Sequence, residues 1–236
     1  MFDARLTASV HEYFLDQGAA LVGVADLTAL PGVPRRELPR GIAFGMLLRP
    51  EIIAGLLHGP TPAYFAEYER LNEALNVLAT RATAWLRDQG YRAEAQDSTI
   101  TNLDRATLST PLPQKTVATR AGLGWIGKCA LLVTPQFGSA LRFNSVLTDA
   151  PLTPDTPIEA SHCPDACTAC RECCPGGAPT GAQWHPDAPR ESFYDAFACF
   201  RAARALSAVQ EIPAVICGRC IGACPHTQRY YTEAVR

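Results

Sequence analysis

Two short runs decide how this chain is read: CPDACTACRECCP (163–175) and CGRCIGACP (217–225). The first spaces its cysteines as Cys163-x3-Cys167-x2-Cys170-x3-Cys174-Pro175, with Cys173 beside Cys174. The second reads Cys217-x2-Cys220-x3-Cys224-Pro225, with Cys199 upstream. Of ten cysteines only Cys129 lies outside this C-terminal stretch. A disulfide framework accounts for such density in small secreted chains. This sequence has 236 residues and begins MFDARLTASVHEYF, with no basic region followed by an apolar segment. Thiolate ligation of metal is the better reading.

The remaining composition bounds the partners. With 47% hydrophobic and 19% charged residues the chain can bury a real core, in one or two domains. Lys+Arg 21 against Asp+Glu 23 gives a formal charge of -2, and no long basic run appears, which argues against non-specific attraction to a nucleic-acid backbone. The longest apolar stretches, such as Ala19 to Ala25, are too short to span a bilayer. The expectation is a cytoplasmic protein with no membrane partner.

Both cysteine runs close with the C-x2-C-x3-C-P pattern of bacterial ferredoxins. Closely spaced thiolates on a tight turn reach several irons of one cubane. The cysteine before proline points to the neighbouring cluster, and the proline keeps the turn from continuing as a helix. Crossed in this way, Cys163, Cys167, Cys170 and Cys224 are expected to bind one 4Fe-4S cluster, and Cys199, Cys217, Cys220 and Cys174 the other. The x3 gap after Cys163 departs from ferredoxin spacing, which makes Cys163 the least secure ligand and Cys173 a possible competitor. Paired C-x2-C is also zinc spacing, but two C-x3-C-P closures favour iron and sulfur. Cys129, within the run Cys129-Ala130-Leu131-Leu132-Val133, reads as a small core residue.

Ahead of the cysteines the pattern alternates helix and strand. A helix is expected over Arg5 to Asp16, stopped by Gly18, and a buried strand over Ala19 to Ala25. Pro31, Pro34 and Pro39 make an irregular loop, and Ile42 to Leu48 is a second strand. After Pro60 and Pro62 the strongest helix signal follows, with Phe65, Tyr68, Leu71, Leu75, Leu78, Ala82 and Trp85 at spacings of three and four, ended by Gly90. Tyr91 to Ala95 and Ala130 to Thr134 read as short strands, and Lys115 to Arg120 as a helix. Pro151, Pro154 and Pro157 mark a boundary, giving an α+β domain over 1–150 and a double-cluster domain over 151–236.

The segment Val117 to Lys128 places Gly122, Gly124 and Gly127 between Arg120 and Lys128, which lets backbone approach a large ligand beside positive charge. It lacks the order of a phosphate-binding P-loop, and no strand precedes it as in a dinucleotide fingerprint. AGLGWIGK (121–128), then LLVTPQFGS (131–139), then SVLTDAPL (145–152), then two crossed ferredoxin motifs resemble the epoxyqueuosine reductase family, which is related to the reductive dehalogenases. The resemblance is strongest from Pro111 to Pro225, with weaker agreement at Tyr64 to Leu78. It implies a nitroreductase-like α+β domain that holds cobalamin, followed by a bacterial-ferredoxin-like two-cluster domain. It also implies cobalt reduced through the nearer cluster to remove oxygen from a modified nucleoside in tRNA. The residues it suggests for the cofactor are Lys115, Arg120, Gly122, Gly124, Trp125, Gly127, Lys128, Ser145 and Thr148. No Asp-x-His-x-x-Gly segment exists, so no histidine is expected below the cobalt.

Two departures bear on function. The family's proton-donating aspartate stands three residues before a proline; here Leu108 precedes Ser109, Thr110 and Pro111, and the following Glu-Arg becomes Gln114-Lys115. The chain also stops at Arg236, soon after the second motif, where family members continue into helical repeats that help hold tRNA. The expectation is a short paralogue, for which tRNA is unlikely and a small-molecule or nucleoside-like substrate is preferred, with an external low-potential electron donor. Asp104 and Asp97 are the candidate replacement acids, against the plainer reading of solvated loop carboxylates. His162 and His226 flank cluster cysteines and could donate to sulfur, though surface roles are commoner. The competing function is an electron-transfer or metal-handling protein whose front domain binds a partner or a flavin.

Overall fold

The computed structural model describes residues 2–99 and 103–235. Chain order begins with helix α1 (Ala4–Asp16), strands β1 (Leu21–Asp26) and β2 (Arg40–Leu47), the short helix α2 (Pro50–Gly55) and the long helix α3 (Pro62–Asp88). Strand β3 (Ala93–Ala95), helix α4 (Gln114–Arg120) and strands β4 (Trp125–Ile126), β5 (Leu132–Val133) and β6 (Leu141–Thr148) follow. The C-terminal part is helical: α5 (Ala169–Glu172), α6 (Arg190–Phe193), α7 (Ala196–Val209), α8 (Arg219–Ala223) and α9 (Pro225–Ala234). The α+β expectation holds. No helix among the described residues is long and apolar enough to cross a membrane.

Contacts divide the chain into two compact units that interleave in sequence. The first comprises Met1–Met46, Leu71–Leu123 and Arg142–Ile158, and the second Leu47–Arg70, Gly124–Leu141 and Glu159–Arg236. A single cut at 150 therefore does not follow the packing: 47–70 and 124–141 join the cysteine-rich segment.

The first unit is built on a four-stranded sheet in the order β1-β2-β6-β3. β1 pairs antiparallel with β2 from Leu21 opposite Gly45 to Asp26 opposite Arg40, and β3 pairs antiparallel with β6. Helix α1 starts at Asp3, whose carboxylate accepts from the Leu6 amide at 2.9 Å, and buries Leu6, Val10 and Phe14, one face at a spacing of four. That face meets Val24, Ile42 and Phe44 from the sheet and Leu75, Leu78, Ala82 and Leu86 from α3. Each fully buried side chain of this size contributes about 1.5–3 kcal/mol of transfer free energy, so this cluster organises the unit.

Gly23 in β1 shows why part of the sheet is smooth: a Cβ there would lie 2.3 Å from the Ala121 carbonyl oxygen, just beyond α4. The helix after Pro113 thus lies close on β1. The inner strand β6, as long as β2, is absent from the sequence expectations, and the strand foreseen over Ala130 to Thr134 shrinks to Leu132–Val133, because Ala130 takes a left-handed φ of 58°.

Candidate metal centres

In the second unit the cysteines sit on short helices and the turns between them. Cys170 lies on α5, Cys199 on α7 and Cys220 on α8, while Cys224 caps α9, whose first residue is Pro225. Proline suits that place because a first-turn helix residue needs no amide proton. Helix α8 packs against α5 and against the turn Leu56–His58. Gly222 permits the second contact, since a Cβ there would stand 3.0 Å from the Leu56 Cβ, and Gly218, at φ 81°, turns the chain into the helix.

One pocket is lined by Cys174, Cys199, Cys217 and Cys220, together with Cys129, Tyr194 and Arg219. Cys174 comes from the first run and the other three from the second stretch. Burial pushes the Cys217 thiol up, and the Cys199 and Cys174 sulfurs act on it in the same direction. Burial raises the Cys224 thiol, and Cys163, the first cysteine of the first run, adds to it electrostatically. Gly127 comes close to this loop: a Cβ on it would lie 3.5 Å from Cys163 Sγ.

Several sulfurs accept backbone N–H groups, as thiolate ligands do. The Ala178 amide donates to Cys174 Sγ at 3.3 Å, the Arg219 amide to Cys217, and the Thr227 and His226 amides to Cys224. Cys129 is buried and touches both Cys170 and Cys220; its contact with Cys170 raises the Cys170 thiol more than burial does. Cys173, for which burial is the largest cause, is pushed up to about 11, with Cys170 adding to it and Arg219 opposing. A metal bound by these thiols would displace their protons. Among the described residues no three His, Cys, Asp or Glu side chains converge to hold a single ion.

Two cations accompany the cysteine groups. Lys128 is 3% exposed, and its ammonium donates to the carbonyls of Pro164 at 3.1 Å, Asp165 at 2.9 Å and Cys167 at 3.1 Å. It braces the first cysteine loop from within and acts favourably on the Cys170 thiolate. Arg219 lines the pocket of the other group, and its buried Nε–H has no acceptor among the described residues. A buried donor without an acceptor is costly unless a negative group completes it. The thiols and the open guanidinium donor of that pocket suit an anionic thiolate-bound core. Sequence reasoning missed Arg219 and Tyr194, although Arg219 stands inside the Cys217-x2-Cys220 run.

The residues read as cofactor contacts are differently employed. Lys115, Arg120, Gly122, Ser145 and Thr148 belong to the first unit, and Gly124, Trp125, Gly127 and Lys128 to the second. Lys128 has all three donors engaged by carbonyls, which corrects its reading as a cationic rim. Arg120 Nε donates to the Asp26 carbonyl at 2.7 Å. Ser145 Oγ donates to Gln114 Oε1 at 2.6 Å, and Thr148 Oγ1 donates to the Arg92 carbonyl at 2.7 Å. Gly122 closes on the Thr156 carbonyl and Gly124 on that of Val133, so these glycines serve close backbone packing. Trp125 is buried, with ring centroids 4.9 Å from His162 and 5.1 Å from His226, and its indole Nε1–H has no partner among the described residues. Lys115 lies on α4. Arg120, Lys128, Ser145 and Thr148 are thus held by partners within the chain, while the Trp125 indole is left with an open donor.

In the first unit a cavity of about 310 Å³ is lined by Arg36, Gln96, Asp97, Thr110, Pro111 and Gln114, among others. Gln114 ties it to a buried amide network: its Nε2 donates to Asn144 Oδ1 at 2.9 Å, and Asn144 Nδ2 donates to Asn76 Oδ1 at 3.2 Å. Asp104 is outside this cavity's lining. It is fully exposed, and its carboxylate accepts from the Ala106 amide and the Thr107 hydroxyl, which holds it below the ordinary carboxylate range. Such an acid stays ionised and organises its own turn, closed by the pairing of Asp104 with Ser109, so it is a poor proton donor.

The fold has solved counterparts. A solved reductive dehalogenase, described as pointing to a mechanism for B12-dependent dehalogenation, matches 98% of this chain with TM-score 0.71 at 16% identity, over 34% of its own length. In sequence, the chain is similar to epoxyqueuosine reductases: that of Pseudomonas aeruginosa is 31% identical over 136 residues, 55% of this chain. The match spans about a third, 34%, of that curated relative. A solved epoxyqueuosine reductase carrying an epoxyqueuosine-modified tRNA stem loop covers 95% of this chain with TM-score 0.61 at 19% identity, over 66% of its own length. No protein-family profile matches the chain.

That last structure corrects the expectation that tRNA is an unlikely partner. A fold extending over nearly all of this chain holds a stem loop, and a near-neutral net charge does not forbid this, because RNA loops are recognised by local stacking and hydrogen bonding as well as by long-range charge.

Proposed function

We propose that this chain is an oxidoreductase that holds two 4Fe-4S clusters and works with a corrinoid, as the resemblance to epoxyqueuosine reductases implies. The observation that carries the reading is the pocket in which Cys174 meets Cys199, Cys217 and Cys220, the crossed set expected from ferredoxin spacing. Lys128 holds the loop of the other set, Cys163, Cys167, Cys170 and Cys224, by three carbonyls. When bound, a corrinoid supplies a strongly reducing cobalt centre. Of the polar groups that the resemblance suggests for it, Arg120, Lys128, Ser145 and Thr148 have partners within the chain, and the Trp125 indole Nε1–H has none among the described residues.

The substrate to test first is the epoxyqueuosine-bearing tRNA stem loop found with the solved relative. Reducing an epoxide to an alkene takes two electrons and two protons and releases water. The electrons come one at a time from an external low-potential donor. The cavity lined by Gln96, Asp97 and Gln114 is the proposed substrate pocket, and its amides and carboxylate suit a polar nucleoside. Asp97 is exposed beside it and is a better placed acid than Asp104.

Anaerobic reconstitution tests the reading. About eight irons and eight acid-labile sulfides per chain are expected, with a change in the cobalamin spectrum on titration with protein. Stoichiometric zinc without sulfide refutes the clusters, and an unchanged spectrum at micromolar cobalamin refutes the corrinoid.

A further inference from the structure

Lys128 and Arg219 differ in what they offer to the cysteines beside them. All three ammonium donors of Lys128 are engaged by backbone carbonyls, so toward the first cysteine group it contributes charge alone. Arg219 lines the pocket of the second group with a buried Nε–H that has no acceptor among the described residues. In the same pocket Tyr194 hydrogen-bonds Cys199.

We propose that Arg219 is a positioning residue that makes the two clusters inequivalent: its guanidinium donates to the sulfurs of the Cys174, Cys199, Cys217 and Cys220 cluster and raises that cluster's reduction potential above its partner's. The inference rests on the two-cluster reading. Its physical basis is that the reduced cluster carries one more negative charge than the oxidised one, so a cation and an N–H donor at its sulfurs stabilise the reduced form more. Lys128, with its donors turned to carbonyls, gives the other cluster no comparable bond. The Arg219-side cluster then fills first, and the other takes its electron only at lower potential.

The test is a redox titration of the reconstituted full chain with dithionite, followed by electron paramagnetic resonance, on the unaltered protein and on Arg219→Gln and Arg219→Lys. The unaltered protein is expected to show two resolved midpoints. Arg219→Gln should move the higher one down and leave the lower one in place, and Arg219→Lys should restore much of the difference. If Arg219→Gln instead loses about four irons that Arg219→Lys regains, the same charge requirement has been read out through assembly. Eight irons with both midpoints unmoved in Arg219→Gln overturns the inference, as does a loss of iron in both variants alike. An unaltered protein that binds zinc and no sulfide refutes the two-cluster reading itself, a result distinct from any of these.

Discussion

Replacing Lys128 by Met removes the ammonium while keeping an unbranched chain of similar length. The three carbonyls of Pro164, Asp165 and Cys167 then lose their donor in a place where the side chain is 3% exposed and water does not readily replace it. Hydrogen bonds to a charged group are worth about 1.5–3 kcal/mol each, so the gross loss is about 5–9 kcal/mol. Several kcal/mol return because no ammonium has to be desolvated, which leaves a net destabilisation of about 2–4 kcal/mol. The loop that loosens carries Cys163 and Cys167, so iron content should fall from about eight to about four per chain. Anaerobic urea unfolding and iron and sulfide analysis on the same preparation read both effects. A Lys128→Met protein with the original midpoint and the full iron content refutes the bracing role.

Two further expectations concern the same unit. Cys173→Ser should leave the iron count unchanged, because Cys173 is outside both crossed sets, whereas Cys220→Ser should lower it; equal loss in both variants means the ligand sets are wrongly drawn. Glu67 is 1% exposed and accepts from Arg70 at 2.8 Å through both carboxylate oxygens, with Arg49 Nε 3.1 Å away. Burial alone raises its pKa, but the two guanidinium groups and the Arg49 amide outweigh it and the group ends lowered. A carboxylate depressed on folding stabilises above its unfolded value of 4.5 and loses that contribution as pH falls through the folded one. Glu67→Gln should therefore cost about 1–3 kcal/mol at pH 7 and flatten the stability profile below pH 5, as chemical denaturation at stepped pH would measure.

The elements legible in the sequence are those whose burial is one-sided. Leu6, Val10 and Phe14 mark α1, and Leu71, Leu75, Leu78 and Ala82 mark α3, because one apolar face against one core leaves a period. β6 was not legible, since it carries Arg142, Asn144 and Ser145, and Asn144 is fully buried only because Asn76 and Gln114 reach it from elsewhere in the chain. The cysteine spacing was legible because ligand geometry is local. The roles of Lys128 and Arg219 were not, because a cation beside glycines reads as an open anion site until its actual partners, three carbonyls in one case and a cysteine pocket in the other, are placed around it. Asp104 reads as a free acid for the same reason: its partners, Ala106 and Thr107, are short-range but depend on a turn closed by Ser109.

The interleaving of the two units bears on how the chain is synthesised and how it can be cut. The cysteine-rich unit needs Leu56 under α8, and it needs Gly138 and Ser139 against Thr227, where the Thr227 hydroxyl accepts from the Ser139 amide at 3.0 Å. Residues 47–70 leave the ribosome long before 217–227, so that stretch waits with apolar side chains uncovered until the last helices arrive. Contacts so distant in sequence slow folding and leave sticky intermediates. An excised 151–236 fragment keeps all eight proposed ligands but lacks the surfaces on which α8 and α9 rest, so a minimal electron carrier cut from this protein would have to bring 47–70 and 124–141 with it.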